Sequence, residues 1–253
     1  MTTLFEKFNH AFNYGNITLH TRPYLKAHLK ETYKGFNINN INSGSPCLFY
    51  NGRSIFNSSI LSKIESIDEQ SNTIITYKNT IIVAYLRGDL LNYMIKMLQD
   101  PPDNIELIQQ LRSKSIAIEL TECDLISNPW DLINFNQKYI EEDFQTHAQE
   151  GIIKGNMKPF SIIYNDSNVF INENSTIEDF VIINAEKGPI LIEENVSIHA
   201  HTRLVGPLYI GKNSTILGGI LQNSSIGENC KIHGEVSHSI IESFSNKAHH
   251  GFL

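Results

Sequence analysis

Cysteine is scarce in this 253-residue chain: Cys47, Cys123 and Cys230 stand far apart, are odd in number and form no CxxC pair. That pattern excludes a disulfide framework or a zinc-ribbon spacing and reads as reduced core thiols in a cytoplasmic protein. Positive charge is also short, with 20 Lys and Arg against 27 Asp and Glu, a formal charge of -7, and no basic run longer than two residues. No nucleic-acid partner is expected, because holding a phosphate backbone requires clustered cations. Nor is there a long apolar run, whereas a membrane-spanning helix needs roughly 18 such residues. The N-terminal MTTLFEKFNHAFNYGN is amphipathic and lacks the apolar core of a leader peptide. A soluble, cytoplasmic protein with no membrane partner is expected, long enough for two domains of ordinary size.

What the chain does have is a repeat. Ile192, Ile198, Leu204, Ile210 and Ile216 fall at every sixth position, Ile226 and Ile232 continue in a second phase, and Ile171, Ile177 and Ile183 form an earlier one. A period of six fits neither the 3.6 of a helix nor the heptad of a coiled coil. It suits short strands joined by polar turns, the hexapeptide pattern of a parallel β-helix. Each three-strand coil buries only its inward residues and needs neighbours above and below. Asn195, Ser197, Asn213, Ser214 and Asn229 would supply corners and outer faces.

The first half alternates strands and helices. Residues 1–35 read as helix in pieces, with Pro23 in a first turn, and 37–45 read as a loop. Cys47–Tyr50 is a buried strand stopped by Asn51-Gly52, and 54–67 form a short helix. Thr73–Leu86 reads as a hairpin about Lys78-Asn79. Helices follow at 89–99, with Met94 and Met97 in the core, and at 104–114; a strand covers 115–120. Asn128, Pro129 and Asp131 mark a helix start, Asn128 as the cap, with the helix running to about Glu150. Trp130 is read as a packing anchor. Polar residues 154–158 before Pro159 mark a boundary, giving an α/β domain over 1–155 and a repeat domain over 156–253.

Two stretches carry a resemblance. Asn128-Pro-Trp-Asp-Leu-Ile-Asn-Phe-Asn136, followed by Glu-Glu-Asp-Phe144, resembles the joint between the halves of the GlmU-like sugar nucleotidyltransferases. Gly234 to Leu253, with Ser245-Asn246-Lys247-Ala-His249-His-Gly-Phe-Leu, is similar to their repeat segment ending SNKxHxGFLG. That family is related to the bifunctional uridyltransferase/acetyltransferase that makes UDP-N-acetylglucosamine. The resemblance implies a nucleotidyltransferase-like α/β domain followed by a left-handed β-helix, a homotrimer with sites between subunits, and a sugar phosphate or sugar nucleotide as partner.

Departures from the family pattern matter as much. Active members carry a Gly-rich phosphate loop, GGxGTRM, which is missing here, and a metal-holding Asp in an N-G-D turn. The matching turn here is Asn51-Gly52-Arg53, so a cation stands where the carboxylate for magnesium would be. Either the first domain is a reduced, inactive nucleotidyltransferase fold, or Arg53 itself meets the phosphates. The resemblance also makes His249 the proton acceptor for acetyl transfer from acetyl-CoA to an amino-sugar phosphate. Ser245, Asn246, Lys247 and Arg203 are its candidate substrate contacts. The bland alternative makes His249 and His250 solvated residues near the terminus. Two further family supports, a basic residue and an Arg, fall on Ser237 and Gly219. The chain thus reads as a relative truncated at both ends.

A third reading comes from histidine spacing. His233 and His238, with His199 or His201 one or two coils earlier, resemble the zinc spacing of γ-class carbonic anhydrases, in which three imidazoles and a water complete a catalytic site. The expected function is a GlmU-like transferase with surviving chemistry near His249. The alternatives are a non-catalytic scaffold or sugar-nucleotide-binding module and, more distantly, a zinc lyase.

Overall fold

The computed structural model describes residues 3–12, 16–42, 44–99, 104–147 and 151–249. Its compact units are residues 2–126 and 127–253.

In the first unit, α1 (Leu4–Ala11) opens with a capping box: the Thr3 hydroxyl accepts from the Glu6 N–H, and the Glu6 carboxylate accepts from the Thr3 N–H. Two short strands, β1 (Thr18–Leu19) and β2 (Asn37–Ile38), pair in parallel on either side of α2 (Lys26–Thr32). Next come β3 (Cys47–Tyr50), α3 (Ser58–Glu65), β4 (Thr73–Tyr77), β5 (Thr80–Leu86), α4 (Gly88–Gln99), α5 (Asn104–Arg112) and β6 (Ile116–Glu119). The sheet order is β3-β5-β4-β6, antiparallel except that β6 runs parallel to β4. A parallel neighbour needs a crossover, which α4 and α5 supply.

Between β4 and β5, Lys78 and Asn79 both take left-handed backbone, φ 45° and 62°, the requirement of a two-residue hairpin turn whose twist matches its strands. The hairpin is rich in apolar residues on both faces because both are covered. Ile75, Ile82 and Val83 pack with Phe12, Phe56, Ile60 and Ile64, while Ile74, Ala84 and Leu86 pack with Leu91, Met94 and Leu111. Beside the first of these clusters, burial raises the Cys123 thiol to about 11, with the Asp124 charge adding to the shift. Since the thiolate is the nucleophile, iodoacetamide at pH 8 is expected to alkylate Cys123 slowly, accelerating only as pH nears 11. Rapid alkylation at pH 8, followed by peptide mass mapping, would contradict that environment.

The second unit begins with α6 (Asp131–His147). At its start the Asp131 carboxylate reaches back to accept from the Ser127 and Asn128 N–H groups at 2.9 and 2.8 Å, fixing the turn that leads into the helix. Trp130, read from the sequence as a packing anchor, is 61 % exposed, so most of its ring faces solvent. Residues 148–150, where the helix was expected to end, lie outside the described residues.

Twelve strands follow: β7 (Asn156–Met157), β8 (Ile162–Tyr164), β9 (Val169–Ile171), β10 (Thr176–Ile177), β11 (Ile182–Asn184), β12 (Ile190–Ile192), β13 (Ser197–Ile198), β14 (Thr202–Ile210), β15 (Thr215–Ile226), β16 (Lys231–Ser237), β17 (Ile240–Ile241) and β18 (Asn246–Lys247). All pair in parallel within one sheet, making a mixed α/β protein with a large parallel sheet.

Three ladders organise that sheet. In ladder one Ile177, Ile198, Ile216 and Ile232 align. Ladder two aligns Ile163, Ile183, Leu204, Leu221 and Val236. Ladder three aligns Ile171, Ile192, Ile210, Ile226 and Ile241. Ile192, Ile198, Leu204, Ile210 and Ile216, the every-sixth set, are at most 1 % exposed. Each such burial stabilises the fold by about 1.5–3 kcal/mol before entropy is counted.

Corners need left-handed backbone, and Asn174, Asn195, Asn213 and Asn229 provide it at φ 59°, 58°, 59° and 55°. Asn tolerates that region because its short polar side chain can bond locally. Beside these corners the buried Ser175 and Ser214 hydroxyls each donate to a carbonyl and accept an N–H, satisfying backbone groups that the turns expose. The link from ladder two to ladder three is long early in the chain, residues 165–168 and 185–189, and short later: 206–207, then Asn223 alone, then 238–239.

Outward residues of ladder three, Phe170, Leu191 and Tyr209, pack beneath Ile140 and Phe144 of α6. Farther along, the Ser225 hydroxyl donates to Asn136 Oδ1 at 2.7 Å. This packing explains why compactness divides the chain after Ile126, whereas the sequence reading divides it at 155/156: α6 is held by the strands that follow it.

Candidate functional site

His249 follows β18 and is exposed, with no partner to its ring among the described residues. His250 and residues 251–253 lie outside the described residues. Lys247 takes the register position that Ile177, Ile198, Ile216 and Ile232 fill in earlier coils, and its ammonium turns onto backbone, donating to the His233 carbonyl at 2.9 Å and the His249 carbonyl at 3.5 Å. Ser245 Oγ donates to the Glu242 carbonyl at 2.6 Å, and Asn246 pairs with Lys231 in the ladder.

Arg203 stands apart from that group. It faces outward on ladder two between Ile182 and Ile220 and lines a groove of about 220 Å³ with Lys187, Gln222 and Glu235; no residue of 245–249 lines it. Neither Arg203 nor Lys187 has a hydrogen bond or ion pair among the described residues, so both charges are available to an anion.

In the first unit, Asn51 is committed to the fold. Its Nδ2 donates to the Ile81 carbonyl at 2.9 Å, and its Oδ1 accepts the Arg53 N–H at 3.1 Å, so Gly52 sits in a tight polar turn with Arg53 exposed. The turn presents a guanidinium and no carboxylate, so residues 51–53 do not fit a magnesium ion.

The histidines are dispersed. His199 lies 3.5 Å from Glu178, and His201 stacks on Phe180 with ring centroids 5.7 Å apart. Among the described residues, no three His, Cys, Asp or Glu side chains come together as a metal site.

One arrangement escaped the sequence reading. His238 Nδ1 lies 2.8 Å from Ser237 Oγ, His238 Nε2 lies 3.2 Å from the Asn223 amide, and Gln222 Nε2 donates to Ser237 Oγ at 3.1 Å. The ladder pairs Gln222 with Ser237, a separation that is no multiple of six, so the repeat count could not bring them together. The signal available was the adjacent Ser-His pair.

A family model described as sugar nucleotidyl transferase matches residues 1–151. No curated protein matches the chain. Among solved structures, the acetyltransferase domain of PglB from Neisseria gonorrhoeae FA1090, in complex with acetyl coenzyme A, is 14 % identical over 68 % of this chain and 93 % of that one, with a TM-score of 0.21. No helix among the described residues is long and apolar enough to cross a membrane.

Proposed function

The chain belongs to the sugar nucleotidyl transferase family, and from that premise we propose that it is a GlmU-like sugar-nucleotide transferase whose nucleotidyl site is degenerate and whose remaining chemistry is acyl transfer to an amino-sugar phosphate. The family match over residues 1–151 carries this reading. Degeneracy is supported by Arg53, which stands where the family pattern has a metal-holding carboxylate.

On the same reading the three parallel ladders are a left-handed β-helix of hexapeptide repeats. His249, exposed after the last ladder strand, takes the proton of the sugar amine as it attacks the thioester of acetyl-CoA. Lys247, with Ser245 and Asn246 beside it, is the cation for substrate phosphate at this site, and Arg203, which lies apart on ladder two, serves from a neighbouring subunit. The protein acts in the cytoplasm as a homotrimer; exposed Ile162 and Tyr164 at the start of ladder two offer copies an apolar patch to bury.

In a free-thiol assay with acetyl-CoA and hexosamine phosphates, wild type is expected to release coenzyme A, and His249→Ala to lose at least about 100-fold in rate. Equal rates in both proteins would remove His249 from the mechanism. Arg53 also favours a second reading, a non-catalytic sugar-nucleotide-binding module, for which UDP-sugars would bind without turnover. Light scattering at the mass of a monomer would overturn the trimer.

A further inference from the structure

We propose that Ser237, His238 and Asn223 form a nucleophilic acyl site for esters or thioesters at the corner between ladders two and three, distinct from the residues around His249. Two strands turn at this corner on a left-handed residue, Asn223 at φ 46° and His238 at φ 47°. Asn and His both enter left-handed backbone more readily than most residues, and here the bend sets the two side chains within reach of each other. Both ring nitrogens of His238 meet neighbours.

Those neighbours match the requirements of an activated serine: nucleophile and base within hydrogen-bond reach, with the base oriented by a third group. Ser237 Oγ lies 2.8 Å from Nδ1, and the Asn223 amide lies 3.2 Å from Nε2. Gln222 already donates to Ser237 Oγ, so the hydroxyl proton is free to point at Nδ1. The imidazole then carries its own proton on Nε2, and the Asn223 amide, turned end for end, accepts it through Oδ1. The two amide orientations have the same shape.

In the reaction, Ser237 Oγ adds to the acyl carbon while its proton passes to His238 Nδ1. The C–S or C–O bond breaks, and the departing sulfur or oxygen takes that proton from the imidazolium. Water or an acceptor amine then attacks the ester carbon, giving a proton to Nδ1, which returns it to Ser237 Oγ. Gln222 also lines the groove that holds Arg203 and Lys187, so an acyl group on an anionic carrier suits the approach.

The full chain is incubated with p-nitrophenyl acetate and, separately, with a fluorophosphonate probe, then digested and mapped by mass spectrometry. An adduct on Ser237 is expected, absent in Ser237→Ala and formed about 100-fold more slowly in His238→Asn. Asn suits the left-handed corner, so that variant keeps its thermal transition and a slower rate is not a folding loss. No adduct on Ser237, or an unchanged rate in His238→Asn, would overturn the site. Labelling needs neither an acceptor nor His249. If His249→Ala labels normally but wild type transfers nothing to hexosamine phosphates, the function proposed above fails and this site stands; transfer with no Ser237 adduct has the opposite meaning.

Discussion

Gly219→Ala is expected to lower the stability of the second unit by about 3 kcal/mol or more, among the largest effects open to one added methyl group. Gly219 has φ 108°, a conformation that L side chains rarely adopt, and a Cβ there would lie 2.6 Å from the Gly234 carbonyl carbon and closer still to its oxygen. That neighbour is backbone of the next coil, bound in the ladder, so it cannot move aside as a flexible side chain would. Strain and overlap act on the same residue. Gly218→Ala is the control: φ is 137°, but its Cβ would meet nothing nearer than the His233 ring at 3.4 Å. Urea titration followed by circular dichroism checks the pair. A Gly219→Ala midpoint equal to that of Gly218→Ala would refute the close approach of these coils.

Leu204→Asp is expected to cost more than about 4 kcal/mol, while its neighbour Arg203→Asp leaves the fold intact. Leu204 is fully buried in the stack of Ile183, Leu204 and Leu221, and Arg203 is exposed one residue earlier. An unpaired carboxylate in that column loses its hydration and gains no partner, a penalty large beside the roughly 5–15 kcal/mol that holds a typical domain together. Hydrogen exchange should show the loss spreading to the strands paired on either side, since the column of Ile183, Leu204 and Leu221 is packed as one stack. Similar protection in both variants would mean that the inward-outward alternation is wrong.

The apolar columns were legible because burial selects side chains one by one: Ile171, Ile177 and Ile183 are spaced by six, and all three are fully buried. The hairpin at Lys78-Asn79 was legible for a similar reason, two β-branched runs around a two-residue gap, although Lys is not a usual left-handed residue. Asp131 shows the limit of local reading, because an acidic residue in a first turn and one that reaches back to two N–H groups look identical as letters. At Lys247 the pattern gave no help, since a charged residue in an apolar column is intelligible only once its ammonium is seen on the His233 carbonyl. Ser237 and His238 were hidden because the shortened coils break the count of six where they meet Gln222 and Asn223. Arg203 was legible as an outward residue, but its groove depends on four strands that no linear pattern aligns.

The uneven link between ladders two and three decides where evolution can add or remove codons. Between Tyr164 and Val169, or between Asn184 and Ile190, an extra amino acid only lengthens a loop and every later strand keeps its facing. Between Gln222 and Ser224 there is no such slack, because Asn223 alone makes the bend. One inserted residue there would turn Ser225 inward and Ile226 out to water, and the parity error would propagate into each circuit beyond. Length variants should therefore accumulate in the early circuits and be purged from the late ones.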